Sequence, residues 1–152
     1  MKNTVLFAVI VICLFMVSCN SPGKKEDTLK TQSDSLEKEV MKGHDIAMPK
    51  SMRIPKIQAA VQKIIDSIAT LPGKAREAAA PYKAKLEELI NDLNYADNAM
   101  NKWMAEINFD SAANNLQERI KYLTEEKLKV DKVKDAVLKS LAKADSLLKA
   151  KL

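Results

Sequence analysis

The sequence predicts an all-α protein, an elongated antiparallel three-helix bundle packed like a coiled coil. Ala, Leu, Lys, Glu and Met dominate its 152 residues, and these residue types favour helices. Apolar residues recur at helical spacing and do not form the short alternating runs that are typical of strands. The chain has only 3 glycines, so we expect long helices that are joined by two short turns.

The first helix is predicted over residues 28–70, where apolar side chains recur every three or four residues. Pro49 and Pro55 fall inside it, and each proline removes a backbone hydrogen bond from a helix. We therefore expect this helix to be kinked or broken near Pro49 and Pro55, with residues 50–54 irregular if it is broken. Its predicted apolar face comprises Leu29, Leu36, Val40, Met48, Met52, Ile57, Val61, Ile64, Ile65 and Ile68.

The second helix is predicted over residues 74–107, after the strong turn signal Leu71-Pro72-Gly73. Its apolar face comprises Leu86, Leu89, Ile90, Leu93, Met100, Met104 and Ile107.

The third helix is predicted over residues 112–149, after a turn at residues 108–111. Asp110 or Ser111 is expected to cap it by accepting a backbone N–H bond. Leu116, Leu123, Val130, Val137 and Ala144 are spaced seven apart, which is the apolar seam of helical bundles and coiled coils.

The N-terminus has the pattern of a secretory signal. A positive charge at Lys2 precedes an apolar run over residues 5–17, which is too short to span a bilayer. The next segment, Met16-Val17-Ser18-Cys19, resembles the lipobox of bacterial lipoproteins, although that family prefers Leu at the position of Met16. We expect residues 1–18 to be removed by cleavage between Ser18 and Cys19, and Cys19 to carry lipid. The lipid is then the protein's attachment to a membrane.

The residues after the cysteine are polar, and we expect residues 19–27 to form a lipidated cysteine and flexible tether before a bundle domain over 28–152. Lys25-Glu26-Asp27 resembles the export signal of Bacteroidota lipoproteins, which in that group directs them to the cell surface. The alternative is a solvated linker. We predict an outer-membrane lipid-anchored protein that faces either the surface or the periplasm.

The composition excludes several kinds of site. Cys13 lies in the signal and Cys19 is expected to carry lipid, so no thiol remains for disulfides, zinc or catalysis. His44 is the only histidine, and no Gly-x-Ser-x-Gly motif accompanies it. We therefore expect no enzyme, and no cofactor besides the covalent lipid. The formal charge of +5 is spread over helices in which acids and lysines alternate, so we expect no nucleic-acid binding.

One constellation could bind a metal ion. Met41, His44 and Met48 share a helix face, and a hairpin folded about Pro72 brings residue 100 opposite His44. Thioethers and an imidazole together suit Cu(I), so the candidate ligands are His44, Met41, Met48, Met100 and Met104. The same layer is predicted to contain Trp103, Ile120, Tyr122 and Leu123.

Two other interpretations of this layer stay open. Methionine also fills irregular gaps in cores and packs well against aromatic rings, so the layer could be packing alone. It could equally be a partner or ligand groove where the prolines loosen the first helix. Asp45 is expected on a different helix face from His44, so the pair should not form a His-carboxylate dyad.

The chain resembles small Bacteroidota lipoproteins of unknown function, which are sometimes labelled viral A-type inclusion protein repeat proteins. The resemblance rests on His44-Asp45-Ile46-Ala47-Met48-Pro49-Lys50, on Ala99–Met104 and on the third-helix segments Tyr122–Lys127 and Lys132–Lys134. It implies no known activity. We predict a non-enzymatic envelope lipoprotein that acts through interaction with an envelope protein or as a spacer. The alternative is metal or small-ligand binding at the Met/His/Trp layer.

Overall fold

The computed structural model describes residues 22–149, which form four helical segments and no strand. These are α1 (Pro22–Ser51), α2 (Ile54–Ala69), α3 (Gly73–Glu106) and α4 (Leu116–Lys149). Helices α1 and α2 make up the first arm of the bundle, α3 the second and α4 the third. Helix α4 packs against α1 and α3, and α2 packs against α3. The predicted all-α three-helix bundle is thereby confirmed.

The first arm is broken where the prolines predict it. Helix α1 continues through Pro49 and ends at Ser51, and α2 begins at Ile54 with Pro55 in its first turn. A continuous helix would place the Pro55 ring against the carbonyl of Ser51, whereas the first turn of a new helix does not need a proline N–H. Met52 lies in the resulting bend and is 71 % exposed, so its predicted place on the apolar face is wrong.

Helix α1 begins earlier than predicted. Its first residue is Pro22, not Thr28, so Lys25, Glu26 and Asp27 are helical and not part of a flexible tether. Proline is well tolerated at the first position of a helix because its missing N–H has no partner there. Pro22 and Gly23 therefore open the helix.

The bundle has two apolar clusters along its length. The first joins α2 to the facing parts of α3 and α4, and it buries Ile54, Val61, Leu86, Leu89, Leu93, Val137 and Ala144 among others. The second lies at the C-terminal half of α1 and buries Val40, Ala47, Met100, Trp103, Val130 and Val133. Leu123, Val130, Val137 and Ala144 of the predicted heptad seam are all buried.

The connection between α3 and α4 is longer than predicted. Helix α4 begins at Leu116, and its cap is Asn115, whose Oδ1 accepts hydrogen bonds from the backbone N–H groups of Gln117 and Glu118 at 3.2 Å each. The predicted caps Asp110 and Ser111 are therefore wrong. The loop is held by Arg119, which donates to the carbonyl oxygens of Phe109 and Ser111 and to the Glu37 carboxylate of α1.

Candidate functional site

The second apolar cluster is where most of the predicted site residues meet. Met41, His44, Trp103 and Met104 line one small cavity of about 100 Å³, together with Ile107 and Phe109. We call this the His44 cavity. Helix α1 supplies Met41 and His44 from one face, the end of α3 supplies Trp103 and Met104, and the α3–α4 loop adds Phe109 to its lining.

The ring of His44 is held from two sides. It lies against Trp103, with ring centroids 5.8 Å apart and planes tilted by 34°. Its Nδ1 is 3.0 Å from Asp45 Oδ1. The prediction that His44 and Asp45 would not form a His-carboxylate dyad is therefore wrong. Because a carboxylate only accepts hydrogen bonds, Nδ1 carries the proton in this contact, and Nε2 of the neutral ring keeps a free lone pair.

Two of the five predicted ligands lie elsewhere in the cluster. Met100 is 1 % exposed within the apolar core, and Met48 accepts a hydrogen bond at its sulfur from Ser51 Oγ at 3.6 Å. Neither side chain lines the His44 cavity. The structure therefore groups Met41, His44 and Met104 and separates Met48 and Met100 from them.

The α4 residues opposite this layer differ from the predicted ones. Glu126, Val130 and Val133 face Trp103 and its neighbours, in place of Ile120, Tyr122 and Leu123. The longer loop before α4 shifts the register of that helix by more than a turn. The Tyr122 hydroxyl instead accepts a hydrogen bond from the backbone N–H of Asn108, at 2.7 Å, and so helps to order the loop.

Glu126 is a site residue that the sequence analysis missed. Its side chain is 4 % exposed, and its carboxylate accepts hydrogen bonds from Trp103 Nε1 at 3.0 Å and from Lys129 Nζ at 2.7 Å. The Glu126 hydrogen bond raises the pKa of Lys129 above its usual value. A signal was present: Arg119, Glu126, Val133 and Ser140 occupy the second inward position of the heptad, so three polar residues face inward there.

A second concave surface adjoins the same tryptophan. We call it the α3–α4 groove, and it is lined by Tyr95, Asn98, Ala99, Lys102, Trp103, Glu106, Lys129 and Val133. Tyr95 is 66 % exposed at its edge, whereas Trp103 and Val133 are buried. Trp103 therefore borders both the His44 cavity and the α3–α4 groove.

An ionic network also joins α1 to α4 near this layer. Asp131 accepts hydrogen bonds from Lys134 and from Lys127, and Lys127 lies 3.7 Å from Glu39 of α1. The Lys134 and Lys127 ammonium groups lower the pKa of the Asp131 carboxyl below its usual value. The same contact with Asp131 raises the pKa of Lys127.

The predicted processing residues Ser18 and Cys19 lie outside the described part of the chain. Lys25, Glu26 and Asp27 lie within it and are exposed at the start of α1. Within residues 22–149, no helix is both long and apolar enough to cross a membrane. In the same range, no three His, Cys, Asp or Glu side chains are grouped so that they could hold a metal ion.

Comparisons of the chain with protein-family models, with curated proteins and with solved structures found no match.

Proposed function

We propose that the protein is a non-enzymatic lipoprotein of the cell envelope that is anchored through Cys19 and presents a protein-binding surface at a set height above the membrane. One observation supports this proposal most directly. Only Asn20 and Ser21 separate Cys19 from Pro22, where α1 begins. A lipid on Cys19 would therefore attach the bundle to the membrane through a very short link.

The helix then sets the height of the surface. His44 follows Pro22 by 22 positions in α1, which is about 33 Å along the axis at 1.5 Å per residue. Trp103 contacts His44, so the α3–α4 groove stands at a similar distance from the start of α1. The protein can in this way act both as a spacer and as a binding module.

The α3–α4 groove is the surface that best fits a protein partner. Tyrosine and tryptophan are enriched among the residues that contribute most to binding energy at interfaces. Tyr95 is exposed there beside the apolar Ala99 and Val133, and Lys102 and Glu106 flank it with opposite charges. An apolar centre with a polar rim is typical of protein–protein interfaces.

Crosslinking in intact cells tests this proposal. A photo-crosslinking amino acid in place of Tyr95 should capture one discrete envelope protein. The matched control is the same replacement at Leu128, which is 59 % exposed on α4 but does not line the groove. No adduct from position 95, or the same adducts from both positions, would overturn the assignment of the groove.

A separate experiment tests whether the protein faces the cell surface or the periplasm. The resemblance of Lys25-Glu26-Asp27 to the export signal of Bacteroidota lipoproteins supports the cell surface, and all three side chains are exposed at the start of α1. Protease added to whole cells should degrade the native protein and spare a variant with all three residues changed to Ala. Equal protection of both proteins would place the native protein in the periplasm.

A further inference from the structure

We propose that the His44 cavity binds one soft monovalent metal ion of the Cu(I) class, with Met41 Sδ, Met104 Sδ and His44 Nε2 as its ligands. The inference does not depend on the proposed interaction role, because it concerns a different surface and a different class of ligand.

The orientation of His44 is the first argument. In metal sites a ligating histidine almost always donates its other ring N–H to a carboxylate or carbonyl, which fixes the tautomer and makes the free nitrogen a better donor. Asp45 provides this carboxylate, at 3.0 Å from Nδ1. The His44 side chain is itself 23 % exposed, so part of it is accessible without any opening of the apolar core.

The thioethers are the second argument, because they select the metal. Met41 and Met104 line the same cavity as His44, one from α1 and the other from α3. Thioether sulfur is a soft ligand that prefers Cu(I), whereas Mg²⁺, Ca²⁺ and Mn²⁺ prefer oxygen. No carboxylate lines the cavity, and residues 22–149 hold no group of three His, Cys, Asp or Glu donors that would suit a harder ion.

The cavity and its aromatic wall are the third argument. The cavity, at about 100 Å³, is smaller than the roughly 300–1,000 Å³ of typical small-molecule pockets, so its size suits a single ion. The face of an indole attracts a cation, and Trp103 lines the cavity beside His44. Met41 is 37 % exposed, so the ion can enter from solvent past a flexible side chain.

Anaerobic titration with Cu(I) supplied from a chromophoric chelator tests the site, with Ag(I) as a redox-inert second probe. The protein is expressed with its own signal and purified in mild detergent. Trp103 is the chain's only tryptophan and lines the cavity, so the protein's tryptophan fluorescence comes from this one residue. We expect the emission to change and to saturate at one equivalent of either ion, and not to respond to Zn²⁺.

Three ligand variants, one variant of the residue that orients His44, and one matched control identify the donors. Met41→Leu, Met104→Leu and His44→Asn should each weaken binding at least about tenfold, and Asp45→Asn by about 10- to 100-fold through the orientation of His44. Met52→Leu is the control, because Met52 is exposed at the bend and does not line the cavity. Far-ultraviolet circular dichroism establishes that each variant is folded, and Leu conserves the volume of Met.

Two results would overturn the proposal. One is the absence of a stoichiometric change in Trp103 fluorescence with both ions. The other is equal affinity in native protein and in the Met41→Leu/Met104→Leu double variant, which would place the binding at other groups.

Discussion

Glu126 places a carboxylate inside the apolar cluster of the bundle, between the indole N–H of Trp103 and the ammonium group of Lys129. A buried donor that loses its acceptor costs about 1–3 kcal/mol, and this applies to the Trp103 N–H. The charge itself contributes less, because Lys129 is more than half exposed and its contact with Glu126 is screened by solvent. The important property of Glu126 is therefore that it accepts the indole hydrogen bond.

Replacing Glu126 separates these two contributions. Glu126→Gln keeps an oxygen that can accept from Trp103, so its stability should stay within about 1 kcal/mol of the native value. Glu126→Leu leaves the indole N–H without an acceptor and should be less stable than the Gln variant by about 1–2 kcal/mol. Urea unfolding followed by Trp103 fluorescence measures both. A Leu variant as stable as the Gln variant would show that the hydrogen bond contributes nothing.

Asp131 predicts a loss of stability in acid. Its folded pKa lies below the usual value of 3.8, because Lys134 and Lys127 bond to the ionised carboxylate. Asp131 therefore stabilises the folded state fully at pH values above its usual pKa. This stabilisation is lost as the pH falls from there through the lower pKa of the folded state. Asp131→Asn should be less stable than the native protein at neutral pH, and the difference should disappear in strong acid.

Urea midpoints of the two proteins across the acid range measure this difference. Asp131 is partly exposed, so the effect at neutral pH should be small. A constant difference at every pH would mean that Asp131 acts through packing and not through its charge.

Residue types and spacing predicted part of the site. The spacing of Met41 and His44 on one helix face, and the hairpin that brings Trp103 and Met104 opposite, were sufficient to group these four residues. They were insufficient to exclude Met48 and Met100, because helical spacing defines a face to within about one turn and not the direction of each side chain. Glu126 was missed because apolar residues alone were used to define the seam.

At the scale of the helices, α1 and α4 approach each other closely at Gly43. A methyl group added there would lie 2.9 Å from Val130 Cγ1, which is too close for carbon atoms. Valine is stiff at χ1 and cannot easily move away. Gly43 therefore lets two helices approach each other next to His44, and a larger residue would widen the cluster.

Gly43→Ala tests this close approach. Alanine gains about 1 kcal/mol of helix propensity, while overpacking costs about 1–3 kcal/mol, so we expect lower stability. In a double-mutant cycle, Val130→Ala should relieve the clash and give a coupling of about 1 kcal/mol or more. Gly73→Ala is the matched control, since its methyl group meets nothing within 4 Å. Equal effects at Gly43 and Gly73 would contradict the packing argument.

The elements differ in how far the sequence could predict them. The break after Ser51 could be predicted from Pro55, because in a continuous helix the proline ring would clash with the carbonyl of the residue four positions earlier. The start of α4 was not predicted, because residues 107–115 contain no glycine and their turns continue past the predicted residues 108–111, with i→i+3 hydrogen bonds as far as Asn115. Ala112 adopts a φ of 54° there, in the left-handed region that alanine rarely adopts. The contacts of Arg119 and of the Tyr122 hydroxyl with this loop hold it in place.

At the scale of the whole molecule, the apolar spacing was enough to predict an all-α bundle. Helices α3 and α4 have 34 residues each, or about 51 Å of axis, and the seven-residue repeat keeps one face of α4 buried along that length. The relative register of the arms depends on the lengths of the loops. Because the α3–α4 loop is longer than predicted, the observed register of α4 differs from the predicted one by more than a turn. The spacing of apolar residues specifies which face of a helix is buried. The lengths of the loops specify which residues of the neighbouring helix lie opposite that face.

The proposed anchor and the length of α1 together set the position of both proposed binding surfaces. Because α1 begins at Pro22, a lipid on Cys19 would place the His44 cavity and the α3–α4 groove about 33 Å along the helix from the membrane end. Both proposed binding surfaces would then lie at one height on the rod. Attachment at Cys19 is the premise on which that geometry depends.

The most direct test is an intact-mass measurement of the protein recovered from the membrane fraction, beside the Cys19→Ser variant. We predict that the native chain begins at Cys19 with a diacylglycerol thioether and added acyl chains. We predict that the variant carries no lipid. A native chain that keeps residues 1–18, or that lacks lipid on Cys19, would contradict the proposed lipid anchor.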